Sequence, residues 1–348
     1  WIMAYTTIDK PDEYFNTVLY TGNGSTQSIT GVNFQPDWVW IKSRSTTYSH
    51  ILHDVVRGVT KQLKSNSADA ESTDTNGLTA FNSDGFSLGS GSAVNNSSTT
   101  FVGWNWKAGG SSSSNSDGSI TSNVSANTTS GFSVVSTTGT GSAATIGHGL
   151  GTVPAMIIGK RRDSGTSEWR VYNKNLTNAS TILFLDSTKA EESGNSSTWN
   201  NTAPTSSVFS VGDSTDVNAS SGTFIFYCFS EIKGYSKISS YTGNGATDGP
   251  FVWTGFKPAW ILVKVTSTTD SWQLIDTKRD LNNFNSMNLL QPDLDQAEAD
   301  SVRFDILSNG FKMRTSNVSV NSSGASYVYM AFAENPFVTS GGVPTTAR

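Results

Sequence analysis

The chain has 348 residues, a formal net charge of −5, 35% hydrophobic residues, only 15% charged residues and a single cysteine. This balance excludes nucleic acid as the main partner, because phosphate binding needs clustered Lys and Arg, and one cysteine excludes an intrachain disulfide framework. No run reaches the ~18 apolar residues of a membrane helix, and a polar composition poor in charge but rich in aromatics is that of extracellular all-β and fibre proteins.

The first residues, WIMAYTTIDKPDEYF, lack the basic region and apolar stretch of an export signal. Met3-Ala4 reads as a translation start preceded by Trp1 and Ile2. Residues 1–18 are expected to form an attachment arm, with Tyr5, Tyr14 and Phe15 as the residues that dock in a groove.

From residue 20 the chain reads YTGNGSTQSITGVNFQPDWVWIKSRS, and from residue 241 YTGNGATDGPFVWTGFKPAWILVKVTS. Pro36, Trp38 and Lys42 match Pro258, Trp260 and Lys264. Farther on, Asp54 and Arg57 match Asp276 and Arg279, and FVGWNW (101–106) matches YVYMAF (327–332). Glycine allows φ > 0 cheaply, so one repeated hairpin could be turn chemistry alone. Order preserved from residue 20 to residue 106 is duplication. A third, diverged copy, GFSVVSTTGTG…GHGLGTVPAMIIGKRR (131–162), places Pro154 and Lys160 where the first has Pro36 and Lys42.

The expected organisation is therefore repeats at 19–108, 131–234 and 235–337, a Gly/Ser-rich linker at 109–130 that is either flexible or an extended surface strand, and a C-terminal tail at 338–348. The second and third repeats are joined with almost no slack and should form a rigid pair. The strongest runs, DWVWIKS, AWILVKV, TFVGWNW, TFIFYCF and SYVYMAF, are short, turn-bounded and rich in aromatic and β-branched residues. The fold class they predict is all-β: three tandem related antiparallel β-sandwich domains of jelly-roll or lectin-like type. The acid-bearing stretches 65–73 and 292–300 are expected to be helical turns or loops. FIFYCF and AWILVKV hardly alternate, so both faces of those strands should be covered, by another copy, another subunit or a folded-over loop.

Groups able to do chemistry are few. His50 and His53 are three apart, which on a strand puts them on opposite faces, and His148 lies between glycines where a backbone hydrogen bond suffices. No zinc-ligand spacing occurs, and Ser142 lacks the strand–turn–helix setting of a hydrolase nucleophile. Cys228 reads as a buried core thiol. Asp54 with Arg57 and Asp276 with Arg279 recur at one spacing, which reads as structural salt bridges rather than glycosidase acids. No catalytic residue, metal or cofactor is expected. Trp169, Trp199, Trp253 and Trp272 lie in or beside polar loops and are the candidates for stacking on sugar rings, against the alternative that each packs on its own domain.

The quoted segments, together with DTNGLTAFNSDGFSLGS, VGWNWKAGG, YCFSEIKGYSKISSYTGNG and YVYMAFAENPF, resemble a repeat family encoded in the structural gene blocks of tailed bacteriophages, especially those infecting marine bacteria. The resemblance runs from Met3 to Val338. It implies a virion protein of the kind described as a tail fibre or lectin-like appendage, and it supplies no catalytic residue. The expectation is a non-enzymatic phage virion surface protein, assembled in the host cytoplasm, acting as tail fibre, spike or adhesin against the host envelope. A head-decoration protein or capsid fibre is the alternative, and a tail-borne glycan-degrading enzyme the third reading. Expected partners are other virion proteins, a host surface glycan and further copies of the chain in a homo-oligomer such as a trimer, with no nucleic acid and no membrane insertion.

Overall fold

Runs dense in Trp, Phe, Val and Ile fold as strands because such side chains pack well on a pleated surface. The computed structural model describes residues 5–279 and 287–345, and within them the ladders between strands are all antiparallel. Four strands, β1 (Phe15–Thr21), β2 (Trp38–Ser43), β3 (Ile51–Asp54) and β4 (Thr100–Trp106), lie side by side in the order β1-β4-β2-β3 in a first sheet, which Lys61–Lys64 and Ser72–Thr73 extend beyond β3. The same order recurs in β5 (Phe132–Thr138), β6 (Met156–Arg161), β7 (Arg170–Asn173) and β8 (Thr223–Phe229), as β5-β8-β6-β7. It recurs again in β9 (Ser236–Thr242), β10 (Phe256–Val265), β11 (Gln273–Asp276) and β12 (Ser326–Pro336), as β9-β12-β10-β11. Register is kept too. Trp38 lies opposite Trp106 and Asp54, Met156 opposite Phe229 and Asn173, and Trp260 opposite Phe332 and Asp276.

Alternate residues of a strand face opposite sides, and here both sides are buried. One side of each large sheet is covered by a smaller sheet from the same segment. Phe101 and Ile41, for example, meet Phe86 and Leu88, and Val263 meets Phe311. The other sides converge on a single core that takes Trp38, Trp40, Trp104 and Trp106 from the first sheet, Ile158, Tyr227 and Phe229 from the second, and Trp260, Met330 and Phe332 from the third. The missing alternation in TFIFYCF and AWILVKV is thus explained by neighbouring segments of the same chain.

The repeated YTGNG has a steric cause. A Cβ on Gly22 would lie 2.2 Å from the Asn96 carbonyl oxygen, and one on Gly243 the same distance from that of Ser322. Gly24 and Gly245 both adopt φ +70°, which a side chain disfavours. A buried asparagine locks each hairpin from behind. Asn95 Nδ2 donates to the carbonyls of Ser25 and Gly89, Asn321 Nδ2 to those of Ala246 and Thr315, and Asn218 Nδ2 to those of Ser142 and Gly212. Each asparagine ends a one-turn helix, Ser92–Asn95, Thr215–Asn218 or Val318–Asn321.

Packing decides how the connecting stretches are used. Of the two readings of residues 109–130 the extended strand holds: Ser122–Asn127 pairs along β5, and Ser113–Asn115 pairs outside it, so the stretch widens the second sheet. The described part of the expected attachment arm, from Tyr5 onward, makes its contacts within the chain, against the expectation that Tyr5, Tyr14 and Phe15 dock elsewhere. Phe15 is buried as the start of β1, Tyr14 meets Tyr235 edge to face, and the Tyr5 hydroxyl donates to the Gly255 carbonyl at 2.7 Å. Residues 1–4, with Trp1 and Ile2, and residues 346–348 of the tail lie outside the described residues. Stretches 65–73 and 292–300 are loops with short strands rather than helical turns.

Candidate functional site

The recurring acids and arginines sit where the segments meet. Asp54 and Arg57 are fully buried and paired at 2.5 Å, as are Asp276 and Arg279. Each aspartate also accepts a hydrogen bond from an aromatic donor of a different segment: Tyr227 Oη for Asp54 at 2.8 Å, and Trp104 Nε1 for Asp276 at 2.9 Å. Each arginine reaches a glutamate that in turn grips an arginine of the adjoining segment. Arg57 and Arg162 share Glu71, while Arg279 and Arg44 share Glu298.

The contacts run head to tail around a closed ring. Trp169 Nε1 of the second segment donates to the Lys64 carbonyl of the first, Trp272 Nε1 of the third to the Phe184 carbonyl of the second, and His50 of the first faces the Gln291 backbone of the third. Backbone bonds repeat the cycle, Glu71 N to Arg162 O, Glu191 N to Thr266 O and Glu298 N to Arg44 O. At the second-to-third junction the buried aspartate–arginine pair is gone. Asn173 stands where the others have aspartate, Leu176 where they have arginine, and Met330 where they have Trp104 or Tyr227. Acid, base and aromatic donor have been exchanged together, as expected if they act as one unit, since a lone buried charge is strongly destabilising.

Other titratable groups are also enclosed. Lys42, Lys160 and Lys264 are buried, and burial brings each down to about 8. Their ammonium groups donate to carbonyls: Ser43 for the first, Ala68 and Ser167 for the second, Thr188 and Asp270 for the third. His50 Nδ1 accepts from Trp40 Nε1, and burial together with the Lys42 charge holds the ring well below its ordinary value. Burial and the Arg57 charge push His53 down to about 3. His148 Nε2 lies 3.2 Å from the Thr205 carbonyl, and burial raises the Cys228 thiol. Among the described residues no three His, Cys, Asp or Glu side chains form a metal-holding group.

Of the four tryptophans considered for sugar stacking, three are corrected by their position. Trp169 and Trp272 are spent on the ring junctions, and Trp199 is buried against Tyr172 and Phe209, so none offers a face to solvent. They lie in polar stretches, but their rings turn inward where the segments pack. Trp253 differs: 54% of it is exposed, beside Phe251 at 45% on the same face of strand Phe251–Trp253. It lines a cavity of about 240 Å³ with Tyr5, Glu231, Lys233, Lys237 and Gly255. Lys233 Nζ lies over the Tyr5 ring at 4.7 Å. Glu231 is engaged by Lys174, by Lys237 at 3.1 Å and by the Ile238 amide.

The junction partners Glu71, Glu298, Tyr227 and Trp104 were not foreseen, because nothing local in the sequence distinguishes them. The locking asparagines had a signal: Val-Asn recurs at 94–95, 217–218 and 320–321.

The sequence pattern of one family, described as a domain of unknown function (DUF7483), matches residues 10–336. No curated protein matches the chain significantly.

Proposed function

The chain belongs to the DUF7483 family, and we propose that it is a non-enzymatic surface protein of a tailed-phage particle, in which three related β-sandwich units close into a ring and display their outer faces to the host envelope. The observation that carries this reading is that the recurring charged and aromatic groups are engaged with one another across equivalent junctions. Chemistry on a substrate needs such groups to converge on an accessible point, whereas here they converge on the interior. Among the described residues, the one exposed indole, Trp253, lies instead at the rim of a surface cavity, an arrangement suited to recognition.

One feature favours the second reading, head decoration. A ring of three related units offers three similar ends, which matches threefold positions of a closed shell. Burial of the large sheets needs no second copy, since the chain covers them itself; a homo-oligomer, trimer included, would use other surfaces. Gold-labelled antibody against the chain, imaged on purified particles, tests the proposal. Label at the tail supports the adhesin reading and label over the shell supports decoration. Particles free of both label and protein overturn the proposal.

A further inference from the structure

We propose that the cavity between Tyr5, Trp253 and Lys233 binds a sugar ring carrying an acidic substituent, a carboxylate or a sulfate. The inference rests on the reading of the chain as a surface protein and names what that surface recognises. Every other described tryptophan is at most 1% exposed, so folding keeps indoles inside and leaves Trp253 out. The backbone that carries the ring is nonetheless held in place. The Trp253 carbonyl accepts from Tyr329 Oη at 3.3 Å, and its strand pairs with Gly310–Met313.

The cavity wall is built around Gly255, which has φ +84°. A Cβ there would come 3.0 Å from Trp253 Cζ2 and 2.8 Å from Tyr5 Oη, so the indole and the phenol both lie close against this backbone. Tyr5 is pinned by its bond to the Gly255 carbonyl and by the Phe337 ring, 6.2 Å away edge to face. A site fixed before the ligand arrives loses little entropy on binding.

The chemistry of the walls selects the ligand. An aromatic face accepts the C–H face of a pyranose, and polar groups around it take the hydroxyls. Glu231 is engaged by two lysines and an amide, whereas no described carboxylate lies within ion-pair distance of Lys233. The charge left over at the rim is therefore positive. A volume of about 240 Å³ is below the ~300–1,000 Å³ of drug-sized pockets and suits one ring of a longer glycan.

The test uses the full chain with a galacturonate tetrasaccharide, a sulfated galactan tetrasaccharide and neutral maltotetraose, read by calorimetry and tryptophan fluorescence. Binding of at least one acidic probe, tighter than maltotetraose, is expected. Trp253→Ala should weaken it at least tenfold, and Lys233→Gln should bring the acidic probe to the neutral level, with unfolding midpoints unchanged for both. The two acidic probes distinguish carboxylate from sulfate. Absence of binding to both at millimolar concentration, or wild-type affinity in Trp253→Ala, overturns the inference. Self-association that Trp253→Ala abolishes, without sugar binding, also overturns it and assigns the patch to a second copy. Labelled particles lacking sugar binding would remove this site while leaving the proposed function intact.

Discussion

Replacing Arg57 with leucine should destabilise the protein severely, and two further changes should rescue it. Arg57 is fully buried; its Nε donates to Asp54 at 2.5 Å and its Nη2 to the Leu52 carbonyl at 2.9 Å. Without it Asp54 keeps the Tyr227 hydroxyl and two backbone amides, but its charge has no counterion. Removing one partner of a buried pair costs about 3–5 kcal/mol. The second-to-third junction already carries the apolar solution, Asn173, Leu176 and Met330. The triple variant Asp54→Asn, Arg57→Leu, Tyr227→Met transplants it. Because well-packed replacement of a buried ion pair is often neutral, the triple should lie within about 1 kcal/mol of wild type. Urea unfolding followed by near-ultraviolet circular dichroism measures both. A loss below about 1 kcal/mol for Arg57→Leu alone, or a triple no more stable than the single, would refute the coupling.

Gly22→Ala should cost about 1–3 kcal/mol, because the clash is with backbone that has nowhere to go; a melting curve unchanged from wild type contradicts this. Asn95→Ala leaves buried carbonyls without a donor, at about 1–3 kcal/mol, and hydrogen exchange should speed up in residues 22–27 while β10 stays protected. His53 titrates at about 3 in the fold against ~6.5 when unfolded, so its contribution is fully present above ~6.5 and is lost as pH falls toward about 3. Asp186, raised to about 6 by burial, acts in the opposite direction. The comparison of wild type with His53→Leu cancels that effect, and the variant should show a shallower fall in stability with acid; equal slopes would contradict it. Iodide should quench a fluorescence fraction that disappears in Trp253→Phe, and quenching unaffected by the change would place the accessible indole elsewhere.

Much of the fold was legible because turn chemistry and strand density are local. Aromatic runs bounded by Gly, Asn and Asp mark the strands, and the YTGNG copies mark equivalent hairpins. The lack of alternation in TFIFYCF showed that both its faces are covered. What covered them was not legible, since Tyr227 and Asp54 lie 173 positions apart and meet only across a junction. The loop tryptophans misled for the same reason: polar neighbours in sequence say nothing about a ring that inserts into the adjoining segment, as Trp169 does toward Lys64. The Gly/Ser stretch 109–130 has the composition of a linker, but it pairs as strands because β5 would otherwise offer an open edge.

The ring itself is tested most directly by small-angle X-ray scattering of the monomeric chain. A closed arrangement of 348 residues predicts a radius of gyration of ~20 Å, whereas three units strung in a line would give about 30 Å. A value near the first figure, constant on dilution, agrees with the account. A value near the second would mean that the junctions from Glu298 to Arg44 and from Asp276 to Trp104 do not form, and would contradict it.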